Sequence, residues 1–113
     1  MSAWTVGAVG ALVYQNPALI PLLEEHLNDN DGVVLPHLLL SDIVRWMVQN
    51  ESSEFTVVHS VMSWWGRAYN DGPEDVRELI VVSGVEMIPD PGEPGSGLRG
   101  LLSEPLQSLD PWH

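Results

Sequence analysis

The side chains able to do chemistry are few and scattered. His26, His37 and His59 do not show the HExxH spacing that sets two zinc ligands on one helix face, and His113 is the last residue. A metal site needs several converging donors, and the chain has no cysteine to supply thiolates, so no metal and no cofactor is expected. His37 is followed at i+4 by Ser41, and His59 by Ser63. A serine nucleophile needs a base held by a third group and an oxyanion hole of aimed donors. A serine in the middle of a regular helix has neither a strained elbow nor free N–H groups beside it. Both pairs therefore read as solvated polar faces, and the chain reads as non-enzymatic. Asp29-Asn30-Asp31-Gly32 looks at first like a calcium loop. With Gly32 at loop position six, however, Leu27 and Leu38 fall where the first and last acidic ligands belong, and the match fails. Pro91-Gly92-Glu93-Pro94-Gly95 lacks the lysine and the following helix of a phosphate cradle.

What remains is charge. Sixteen acidic residues face four arginines and no lysine, for a net charge of −12 over 113 residues. Such a surface repels nucleic-acid phosphates and anionic lipid heads and attracts a basic partner. At 44% hydrophobic residues the chain is too apolar for a disordered acidic tail, and its length is that of one domain, residues 1–113. The acids gather in two places: Glu24, Glu25, Asp29 and Asp31 around a turn, and Glu74, Asp75 and Glu78 at the start of a helix. Either group could meet a basic protein, or be a solvated face whose helix-start acids serve only the dipole. No charge precedes Glu24, yet the apolar run 3–14 is well short of the ~20 residues that span a bilayer, and no basic n-region of an export signal is present. A cytoplasmic protein is expected, with no membrane or nucleic-acid partner.

The elements that position these residues read as helices. Leu35, Leu39, Leu40, Ile43, Trp46 and Met47 share one broad arc, opposite His37, Ser41, Asp42, Arg45 and Gln49, and Pro36 suits a first turn. This predicts a central helix contacted on more than one side. The segment 3–14 has no clean polar face and predicts a helix buried on most sides; an exposed partner-binding face is the alternative. Asn16-Pro17 predicts a cap and first turn, with a kink or a later start at Pro21. Ser52 or Ser53 is expected to cap a fourth helix whose apolar face runs Val57, Val58, Val61, Met62, Trp64, Trp65, Ala68 and Tyr69. Asp71 with Glu74 reads as a capping box for a fifth, carrying Val76, Leu79, Ile80, Ser83 and Met87, although Ile80-Val81-Val82 could form a strand. A Pro/Gly loop over 89–97 leads to a Leu-rich last helix bent at Pro105. Ion pairs are expected between Arg45 and Asp42 and between Arg77 and Glu74. The spacing His37-Ser41-Arg45 recurs as His59-Ser63-Arg67, a possible trace of repetition. The expected fold is all-α, a compact bundle of five or six short helices.

Two stretches, LPHLLLSDIVRW (35–46) and EDVRELIVVSGVEMIPDPGEPGSGLRGLL (74–102), resemble a family of small bacterial helical proteins. Its members carry an LPHLLLADIVRW-like helix, a VSFVExLP-like segment and a Pro/Gly loop before a Leu-rich end. The resemblance covers about the last two thirds of the chain. Glu78 stands where an asparagine is common, and Gly84 where a phenylalanine usually sits, which implies rearranged packing near Gly84. The family brings no established catalytic residues. Its members are similar to immunity proteins of polymorphic-toxin systems, which implies an acidic binding protein that neutralises a basic toxin or effector domain. The alternative is a non-enzymatic adaptor or regulator that binds through an apolar patch.

Overall fold

The computed structural model describes residues 2–112, so His113 lies outside them. Periodicity at 3.6 residues becomes six α-helices: α1 (Ala3–Gln15), α2 (Ile20–Asp29), α3 (Pro36–Asn50), α4 (Phe55–Asp71), α5 (Glu74–Ser83) and α6 (Glu104–Gln107). Short 3-10 turns, Pro17–Leu19, Val85–Met87 and Ser96–Leu101, fill the joints, and no strand occurs among the described residues. The β-branched run Ile80-Val81-Val82 is helical within α5. No single helix among the described residues is long and apolar enough to cross a membrane.

The core centres on α3, which touches α1, α2, α4 and α5. Leu39, Leu40, Ile43 and Met47 are fully buried and join Val9, Leu12, Leu19, Val61, Trp65, Leu79, Ile80, Leu98 and Leu106 in one cluster. Pro36 occupies the first turn of α3, as its missing N–H suits. Trp46 is only half buried and forms a cleft wall rather than core. The indole of Trp65 lies against Gly84, where a Cβ would come within 3.2 Å of the ring. The volume an aromatic at position 84 would need is therefore filled from α4.

Several local expectations are overturned. α1 is buried on one face only, through Thr5, Val9, Leu12 and Val13, while Trp4 and Tyr14 are 68% and 83% exposed. Asn16 stands at the cap position of the Pro17–Leu19 3-10 turn but makes no side-chain cap bond, its amide donating instead to the Leu12 carbonyl at 3.0 Å; the expected later start is found, with Pro21 in the first turn of α2. The cap position of α4 is Glu54, not Ser52 or Ser53. The Asp71–Glu74 capping box does not form, because α4 continues through Asp71 and Pro73 precedes α5. α5 stops at Ser83, leaving Met87 exposed. The last helix divides: Pro105 starts α6 instead of bending a longer helix. Arg77 lies over the Tyr69 ring at 4.7 Å, a cation–π contact in place of the Glu74 pair.

Arg99 is the polar anchor of the C-terminal third. Its guanidinium donates to the carbonyls of Pro89 (3.0 Å) and Ile88 (2.9 Å) and to Asp110 (2.6 Å), tying the Pro/Gly loop, the Ser96–Leu101 turn and the chain beyond α6 together.

Candidate functional site

The two helices joined by the Asp29–Gly32 turn frame an acidic recess. Gly32 N–H reaches back to the Leu27 carbonyl at 2.8 Å, and Asp31 and Gly32 both take positive φ, so the turn closes α2 as a Schellman motif. The chain then returns along α2 as α3. Between them lies a cleft of about 440 Å³, lined among others by Glu25, Asp29 and Asp42, by Arg45, and by Leu22, Leu38 and Trp46. Asp42 is paired with Arg45, whereas Glu25 and Asp29 have no basic partner among the described residues. Carboxylates beside a tryptophan and two leucines suit a lysine or arginine side chain, whose apolar stem and charged head need those two surroundings.

The floor of this cleft includes His26, which is buried. Its Nε2 accepts the Leu35 N–H at 2.9 Å, so the imidazole caps α3, which has no side-chain cap of its own at Leu35. An amide N–H can only donate, so Nε2 is the acceptor in this contact. Asn30, at i+4, donates to the His26 carbonyl at 2.8 Å and braces the same corner.

Of the residues expected to meet a partner, Glu25 and Asp29 line the α2–α3 cleft; Glu24 and Asp31 are exposed but outside it. Asp75 and Glu78 line a smaller recess of about 310 Å³ with Ser2, Thr5 and His37. Glu74 lies instead along α5, in a shallow recess with Tyr69, Arg77 and Glu78. Asp42 and Trp46 complete the main cleft and escaped the reading of charge clusters: Asp42 is a lone acid assigned to Arg45, and Trp46 an apolar residue assigned to the core. Only the turn that folds α3 back on α2 brings them to Glu25 and Asp29.

His37 is exposed, as expected, but it is also bonded to another element. Its Nδ1 is 2.6 Å from the Ser83 hydroxyl, forty-six positions along the chain. Ser83 is buried at the end of α5, so its oxygen faces the protein and clasps α5 to α3. His59 instead packs on the Phe55 ring, 4.6 Å between centroids. The recurring His-Ser-Arg spacing thus corresponds to no shared structural role. No group of three or more potential metal ligands converges among the described residues.

No family model, curated protein or solved structure matches this chain.

Proposed function

We propose that this chain is a non-enzymatic, acidic binding protein that neutralises a basic toxin or effector domain in the cytoplasm, with the α2–α3 cleft as its principal seat. One observation carries the reading: of sixteen acidic residues, only Asp42, Asp90 and Asp110 are ion-paired among the described residues. The remaining negative charge is uncompensated within the chain, and two of its carriers, Glu25 and Asp29, line the cleft beside an apolar wall that can receive the stem of a basic side chain. The sequence resemblance to immunity-like proteins supports the same reading. Glu74, Asp75 and Glu78 would extend the field along α5. An adaptor working through an apolar patch is the second reading, favoured by the exposed face of α1.

Tagged protein recovered from its native cells with its bound partner, identified by mass spectrometry, supplies the reagent. Stopped-flow association with that partner should slow as salt rises. Glu25→Lys with Asp29→Lys should slow it about ten-fold or more and flatten the salt dependence, with Glu74→Lys and Glu78→Lys having a smaller effect. Association indifferent to salt and to both reversals would refute the reading.

A further inference from the structure

α1 leaves a face unpartnered, and that face has a symmetry of its own. Trp4, Gly7, Ala11 and Tyr14 are all exposed, on the opposite side of the helix from Val9, Leu12 and Val13. Their spacing of three, four and three residues is the seam of two packed helices. Residue 9 is the midpoint both of Trp4 and Tyr14 and of Gly7 and Ala11. Turned end for end about that point, the seam sets tryptophan on tyrosine and glycine on alanine.

We propose that two copies of this chain associate through this seam, α1 packed antiparallel on α1, with Trp4 of each copy against the partner subunit's Tyr14. Two crossing helices are closest at the centre and splay towards their ends. Small residues belong at the crossing and large ones outside it, which is the order found here. The patch is self-complementary about a two-fold axis, as an isologous dimer requires. Trp and Tyr are also the side chains that most often anchor interfaces.

Two further observations single out a second copy as the occupant. α1 carries no charged side chain, whereas the chain as a whole carries −12. A basic partner gains nothing on this face, while two equally acidic copies repel least when they meet here. A Cβ at Gly7 or Gly10 would meet nothing within 4 Å. Each glycine costs a helix about 1 kcal/mol relative to alanine, and no contact within one copy accounts for that cost at position 7. A groove of about 550 Å³, between α1 and the α4–α5 corner at Asp71, Gly72, Pro73 and Val76, keeps the flank of the seam open to a neighbouring helix, with Asp71 its one charged side chain. The proposal is independent of the acidic cleft.

Sedimentation equilibrium of the full chain tests it. The expected mass is twice the 12.5 kDa of the chain, falling to one chain in Ala11→Glu with an unchanged far-UV circular dichroism spectrum. The chain has no native cysteine, so register can be read by mixing Gly7→Cys with Ala11→Cys under oxidation. The antiparallel seam forms the mixed 7–11 disulfide in preference to either homodisulfide. A single-chain mass up to submillimolar concentration, a dimer that survives Ala11→Glu, or dominant 7–7 and 11–11 links would each overturn the proposal.

Discussion

Replacing Arg99 with methionine is the sharpest test of how the C-terminal third is held. The Arg99 side chain is 12% exposed and that of Asp110 7%, so the pair is largely withdrawn from water. Methionine keeps much of the stem volume but removes every donor. The Asp110 carboxylate then keeps only the Trp112 N–H at 3.0 Å, and the Ile88 and Pro89 carbonyls lose their side-chain donor. Breaking one side of a buried ion pair costs about 3–5 kcal/mol, because a charge is left without its partner. For a domain of this length, with an unfolding entropy near 2.1 cal/mol/K per residue, that corresponds to a melting temperature lower by about 13–21 °C. Urea unfolding should give the same loss as a lower midpoint at unchanged slope. The double variant Arg99→Met, Asp110→Leu should recover most of the stability, since a hydrophobic pair of similar volume has no charge to strand. A loss below about 1 kcal/mol in Arg99→Met, or no recovery in the double variant, would refute the anchoring role.

His37→Ala should destabilise by about 1–2 kcal/mol in the same assay, because the buried Ser83 hydroxyl loses its partner, whereas Arg45→Ala, removing an exposed i,i+3 pair, should stay within about half a kcal/mol. Gly84→Phe, which restores the aromatic usual in the similar family, should cost about 2–3 kcal/mol because a side chain there meets both the Ile80 carbonyl and the Trp65 ring, and Gly84→Phe with Trp65→Ala should cost less than the two single changes added together, since the ring contact alone is relieved.

Helix identity was legible because it depends on local periodicity. The apolar faces of α3 and α4 were read almost residue for residue, since side chains three and four positions apart must share a side. The ends were harder. A cap depends on where the preceding helix stops, so Asp71 lost its expected role when α4 ran through it, and Ser52 and Ser53 lost theirs to a turn. Composition misled at α1: Val9, Leu12 and Val13 alone satisfy its core contacts, and nothing local says that Trp4 and Tyr14 will go uncovered. The acidic cleft was half visible. Glu25 and Asp29 stand close in sequence, but Asp42 and Trp46 join them only through the turn at Asp31 and Gly32. The clasps of His37 on Ser83 and of Arg99 on Asp110 connect separate elements, and no periodicity encodes such contacts.

The imidazole beneath the cleft has a consequence for how binding and folding communicate. His26 is at once part of the recess floor and the acceptor for Leu35 N–H at the start of the helix that carries the core. An occupant that holds this ring in place also holds the amide of Leu35, the residue at the cap position of α3. By linkage, it stabilises the native chain in proportion to its affinity. Conversely, fraying of that first turn releases the ring and loosens the recess. The exchange rate of the Leu35 amide with solvent deuterium is thus a built-in gauge of cleft occupancy, read at a position that no partner needs to touch.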